Sequence, residues 1–310
     1  MALFFLILSC AEDRTQEKGE DPSLHEKKEI IVSLEQQRFI DTLALAKKMP
    51  LDSAVIDLDL VYQVGLENFG QQDVVIAQLL YRKGAQYFKA KEYEQAIVLF
   101  EQVKVIQKEI YPESHPDVSK IIHLLGEAQE ALTQNETAIS LYEEAARLRL
   151  KYNDTKLSKS YNKLGNIYRE KGDLALAEKY LQLTLQHNTK SNPKTYHNLA
   201  LVKYNLTDFK TAFVHLDSAL KAYQVYPEHY KKPIVQCYTL KGSMKDDLEQ
   251  YEEALVAYKK AIELLNNAEN EDLIILHNLY NNLSITYKKL NKEADAIQFL
   301  EKSLRLKRET

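Results

Sequence analysis

The chain has 310 residues, 45% of them apolar and 28% charged, with a formal net charge of −4. That length holds two domains or one elongated array, its apolar content excludes a disordered chain, and its near-neutral charge gives no field for nucleic acid. Only 8 Gly and 7 Pro are too few for the many corners of a sandwich, a barrel or a doubly wound α/β fold, so an all-α fold is expected.

The first element is Ala2–Leu8 (ALFFLIL), an apolar run far shorter than the ~20 residues of a membrane-spanning helix. Ile7-Leu8-Ser9-Cys10 follows it and resembles a bacterial lipobox. The resemblance implies a lipoprotein signal peptide over residues 1–9, lipidation at Cys10, and a bacterial cell-envelope location as an outer-membrane lipoprotein on its periplasmic or surface face. A secretory signal has a basic start, and this chain has no Lys or Arg before Arg14, which points to a start upstream of Met1. Residues 10–28 are polar, of mixed charge and interrupted by Gly19 and Pro22, and read as a flexible tether. Residues 29–72 carry two amphipathic stretches, 30–48 and 53–69, separated by Pro50; they read as a helical pair, a degenerate repeat or a cap.

From residue 73 to 310 the apolar residues keep helical spacing, and one column recurs six times: a small residue with an alanine twelve positions later. The pairs are Gly84 and Ala96, Gly126 and Ala138, Gly165 and Ala177, Ala200 and Ala212, Gly242 and Ala254, Ser284 and Ala296. Successive alanines stand 42, 39, 35, 42 and 42 residues apart. Two small residues at fixed separation allow two antiparallel helices to approach closely, and large residues surround them, among them Tyr161, Tyr168, Tyr142 and Tyr258. Prolines fall between the repeats, as at Pro116, Pro193 and Pro233, where a helix stops and the next begins.

This pattern resembles the tetratricopeptide repeat, most clearly in Tyr161-Asn162-Lys163-Leu164-Gly165-Asn166-Ile167-Tyr168 continuing to Ala177. Steps near 42, and His115-Pro116-Asp117-Val118 opening the second repeat, resemble the long-helix variety of that family. Lys83 and Lys241 depart from the usual Leu, and Gln129, Lys203 and Lys245 from the usual Tyr. The resemblance implies a right-handed α-solenoid, a superhelix of about six stacked antiparallel helix hairpins over residues 73–310.

In that family the first helix of each hairpin lines a concave groove, at positions three before the small residue and one and four after it. Carried over, the groove centre holds Asn162, Asn166, Arg169, His197 and Tyr204, with Lys159 and Lys194 six before the small residue. Amides pair with a peptide backbone as donor and acceptor, and Lys and Arg pair with a carboxylate. The expected partner is therefore a protein or peptide segment carrying acidic groups, with no nucleic acid and with membrane contact through the lipid anchor only.

Chemistry-bearing motifs are missing from the sequence. The eight histidines form no HExxH or other close metal pair, the glycines form no phosphate loop, and no GxSxG occurs. Cys237 reads as an apolar packing residue. Neither a metal nor a cofactor is expected, and the chain reads as a non-catalytic scaffold. The second reading is a sensory or recruiting array of a larger signalling or protease system whose effector lies outside this chain.

Overall fold

The computed structural model describes residues 73–112, 115–187, 192–265 and 272–309. The expected signal peptide, Cys10, the tether and the pair over 29–72 lie outside the described residues. Within them the chain forms twelve α-helices and no strand, as the sequence leads one to expect. They are α1 (Val74–Lys89), α2 (Tyr93–Ile110), α3 (Pro116–Ala131), α4 (Asn135–Lys151), α5 (Leu157–Glu170), α6 (Leu174–Gln186), α7 (Pro193–Asn205), α8 (Phe209–Tyr223), α9 (Lys231–Asp247), α10 (Tyr251–Leu264), α11 (Leu273–Lys289) and α12 (Glu293–Glu309).

Consecutive helices pair as hairpins, and the chain divides after Asp154 into two compact units, with α1–α4 in the first and α5–α12 in the second. In the first unit α3 stacks on α2. In the second, the first helix of each hairpin after the α5–α6 hairpin packs on both helices of the hairpin before it, so that α5, α7, α9 and α11 touch in succession.

The same turn closes all six hairpins. Seven residues after each small residue stand Lys91, Thr133, Gly172, Thr207, Glu249 and Asn291, each with a positive φ between 56° and 82°. The next amide in the chain reaches back to the carbonyl three residues after the small one, as in Glu92 to Tyr87, Asp173 to Tyr168 and Asp208 to Lys203, all at 2.9 Å. This six-to-one bond satisfies a carbonyl that the helix end would otherwise leave unpaired. Only Gly172 adopts the left-handed conformation without a steric cost; Thr133 and Thr207 are β-branched and each carry about 1 kcal/mol or more of strain. The residue that donates this bond also opens the second helix, and Asp173 and Asp208 cap theirs by accepting from the amides of Leu176 and Thr211. First helices begin by similar means, with His115 and Asn192 capping helices whose first residues are Pro116 and Pro193.

The small residues act differently from the close backbone approach the sequence suggests. A Cβ placed on Gly84 would stand 2.7 Å from the Phe100 ring, one on Gly126 2.8 Å from Tyr142, and one on Gly165 2.7 Å from Leu181. Gly242 is closed off in the same way by Tyr258. The partner is in each case the bulky residue sixteen positions later, so the glycine is a seat for a ring or branched side chain from the second helix. Backbone proximity survives in places: the Ser284 hydroxyl donates to the Ala296 carbonyl at 2.8 Å. Ala96, Ala138, Ala177, Ala200, Ala212 and Ala254 are fully buried around these seats. Tyr168 and Tyr287, three residues after their small residues, stack on Tyr180 and Phe299 at 5.6 and 5.4 Å.

The second hairpin gives a test in which two effects oppose. Alanine in a helix is favoured over glycine by roughly 1 kcal/mol. Tyr142, however, is fully buried and donates to Glu130 at 2.5 Å, so its ring has nowhere to move, and overpacking costs about 1–3 kcal/mol. Gly126→Ala is expected to lower the midpoint of thermal unfolding followed by circular dichroism; a rise would mean that the seat yields.

Candidate functional site

In the second unit the successive first helices line a cavity of about 860 Å³. α5 contributes Arg169; α7 contributes Lys194, His197, Asn198, Leu201 and Tyr204. α9 adds Lys232, Pro233, Gln236, Thr239, Leu240 and Ser243, α11 adds Ile275 and Asn278, and Tyr223 reaches in from α8. The spacing explains the convergence: positions three before, one after and four after the small residue fall on one helix face. The stacking of α5, α7, α9 and α11 then sets those faces side by side.

Among the described residues three cations line this cavity, Arg169, Lys194 and Lys232, and no carboxylate does. The Arg169 Nη2 donates to Glu170 at 3.2 Å, while its Nε is buried and meets no acceptor among the described residues. Lys232 pairs with Asp272 at 3.4 Å. Thr239 donates to the Val235 carbonyl and Ser243 to that of Thr239, at 2.9 and 3.2 Å. At one end the Tyr204 hydroxyl donates to Asp247 at 2.7 Å. Burial and that carboxylate together hold the phenol above its ordinary pKa.

His197 lines the cavity as an uncharged ring. It is buried, and desolvation together with the nearby Arg169 pushes its pKa down to about 4, so it is a neutral ring at pH 7 and adds no charge. Asn162 and Asn166 do not line the cavity; they belong to a ladder between α5 and α7. Asn198 donates to the Asn166 side-chain oxygen at 2.5 Å, Asn166 to Asn162 at 3.4 Å, and Asn162 to the Thr195 hydroxyl at 3.0 Å. Much of the amide capacity expected to face a peptide is thus spent on joining two hairpins. Lys159 is exposed and lies outside the cavity lining, whereas Arg169, Lys194, His197 and Tyr204 lie in it.

The cavity residues that sequence reasoning passed over are Asn198, Tyr223, Lys232, Pro233, Leu240 and Ile275. α9 and α11 each run 17 residues and reach back nine or ten positions before the small residue, beyond the groove positions of a shorter repeat. The 42-residue step was the available sign of that extra length. Cys237 is fully buried, as expected of a packing residue, and burial pushes its thiol up to about 12. Among the described residues no three His, Cys, Asp or Glu side chains are grouped to hold a metal, and no helix is long and apolar enough to cross a membrane.

A profile for the tetratricopeptide repeat matches residues 75–151, 191–267 and 238–309, and another of the same description matches 158–185. These segments exceed half of the chain, and the chain belongs to the tetratricopeptide repeat family. Its fold is similar to that of a chain in the APC/C hetero-tetramer Cut9–Hcn1, at TM-score 0.59 and 20% identity, covering 90% of this chain and 52% of that one. It is also similar to the apo form of RapI, at TM-score 0.57 and 14% identity over 81% and 92% of the two chains. The C-terminal part of a TPR repeat-containing protein from Cytophaga hutchinsonii gives TM-score 0.56 and 17% identity over 81% and 90%. The chain thus spans about half the length of the Cut9–Hcn1 chain, and at these identities the likeness is one of fold alone. No curated protein matches it.

The His197 geometry has a pH consequence. Its pKa in the folded chain lies below the ordinary value of 6.5, so its neutral form favours folding above that value and this contribution is lost as pH falls toward 4. In an NMR titration the His197 ring is expected to stay neutral at pH 5 and to protonate near pH 4; protonation near 6.5 would contradict a buried ring beside Arg169.

Proposed function

We propose that this chain is a non-catalytic scaffold that binds an acidic segment of another protein in the second unit's cavity. The observation that supports the reading is the lining, which among the described residues holds three cationic side chains, a buried Arg169 Nε that meets no acceptor, and no carboxylate. Leu201, Pro233, Leu240 and Ile275 supply apolar walls, while Gln236 and Asn278 supply amides for a peptide backbone. Arrays of this family typically bind proteins, which agrees with that chemistry. Steps near 42 residues, and helices of 17 residues at α4, α9, α11 and α12, support the long-helix variety.

The test compares fluorescein-labelled acidic peptides with twins in which Asp and Glu become Asn and Gln. The acidic set is expected to bind the full chain with micromolar affinity. Arg169→Ala with Lys194→Ala should weaken that binding about tenfold or more, the scale of a lost charge-assisted hydrogen bond. Equal binding of the neutral twins, or binding unaffected by the double variant, removes the acidic-segment reading.

We further propose that the scaffold is held at a bacterial membrane by acyl chains on Cys10, the reading supported by ALFFLIL followed by Ser9-Cys10. Two or three chains anchor stably, at about 0.8 kcal/mol per buried CH₂. Cells fed an alkyne fatty acid should label the native chain in the membrane fraction and leave Cys10→Ser unlabelled; label retained by the variant would contradict the anchor.

A further inference from the structure

Among the described histidines, His197 stands apart in having no partner within the described residues. His115, His123, His187, His215 and His229 each lie against a tyrosine ring, and His277 meets the Ser303 hydroxyl at 2.9 Å. His197 is only 9% exposed and lines the cavity, yet its ring bonds to no described residue and stacks on none. A polar group this enclosed is as a rule hydrogen-bonded, so a ring with both nitrogens unengaged points to a group that enters the cavity.

Arg169 stands in the same wall and acts on the ring through its charge. Its Nε is buried and meets no acceptor among the described residues. The other titratable or charged side chains of the described lining are Lys194 and Tyr204 on α7 itself, Tyr223 from α8 and Lys232 from α9. α11 adds only Ile275 and Asn278, and α6 adds nothing, its Glu178 being paired with Lys203. An ionised carboxylate is an acceptor only. Entering here, it offsets the Arg169 charge and gives the ring an acceptor, the two changes that favour the imidazolium form.

We propose that a carboxylate of the acidic segment bridges Arg169 and His197, and that its binding places a proton on His197, so that the cavity grips its partner more tightly in a mildly acidic medium. The coupling rests on an acidic segment being the cavity's occupant. The proton comes from solvent and returns there when the segment leaves. In the free chain the ring titrates at about 4; beside a bound carboxylate it should titrate at about 6.5 or above. Between those values the complex holds a proton that the separate partners do not, so affinity rises as pH falls through the window, about tenfold from pH 7.5 to 5.5. Below about 4 the segment's own carboxylates are neutralised and binding is lost.

Titration calorimetry on the full chain tests it, with an unlabelled peptide rich in Asp and Glu and its Asn and Gln twin. The acidic peptide should bind about tenfold more tightly at pH 5.5 than at 7.5. At pH 6, in two buffers of unequal ionisation enthalpy, its binding should take up about 0.7 proton. His197→Gln should flatten the pH profile and abolish the uptake. In NMR of the unsubstituted chain, saturation with the peptide should move the His197 titration from about 4 to above 6. Binding that depends on Arg169 and Lys194 but keeps one affinity at both pH values, with no proton taken up, overturns the coupling and leaves the acidic-segment reading standing. Uptake that persists in His197→Gln overturns it as well. Should that variant fail to fold, a His197 ring still titrating near 4 in the complex does the same. Absence of binding by the acidic peptide at either pH removes the coupling and the acidic-segment reading together.

Discussion

The contact on which the array rests is a bulky side chain seated where another helix has no side chain of its own. Phe100 on Gly84, Tyr142 on Gly126, Leu181 on Gly165 and Tyr258 on Gly242 repeat it at an interval of sixteen residues. The interval is kept by the turn between the helices, in which a left-handed residue and a six-to-one amide bond end the first helix at the same place in every hairpin. Seat and turn are mutually dependent. A turn one residue longer would rotate the second helix by about 100° and carry the ring away from its glycine.

With the hairpin geometry fixed, the other faces of the first helices follow. The face beside the seat repeats in register from α5 to α11, and its side chains converge on the cavity. Neighbouring hairpins are then joined by polar bonds that each repeat supplies separately. The Asn162, Asn166 and Asn198 ladder links α5 to α7, Tyr204 to Asp247 links α7 to α9, and Asp246 with Thr286 and Lys289 links α9 to α11. Lys203 with Glu178 ties α7 to α6 at 2.7 Å. In each bond between first helices one partner, Asn166, Tyr204 or Asp246, stands at a groove position, so part of that helix face serves cohesion between hairpins.

The helices, their pairing and their breaks were legible in the sequence because they depend on local spacing: small residue, alanine twelve on, bulky residue sixteen on. The reason for the small residue was less legible, since spacing alone does not tell backbone contact from a seat for a ring. The groove was legible as a set of positions and not as a site. Asn162 and Asn166 looked available because a sequence carries no information on which neighbour an amide meets. That His197 is neutral was not legible, because its burial and its nearness to Arg169 are properties of the fold. Lys232 and Ile275 were missed because they belong to an extra turn at the start of the long helices, outside the shorter pattern.

If the seat is the unit of stability, disturbing one should open one hairpin. Hydrogen exchange read helix by helix on Gly242→Leu, against the unsubstituted chain, puts this to the test. Amides of α9 and α10 should lose protection together and by the same factor, with α5 and α6 retaining theirs. Loss confined to α9, with α10 still protected, would contradict the account, because the two helices would then be held by something other than the ring between them.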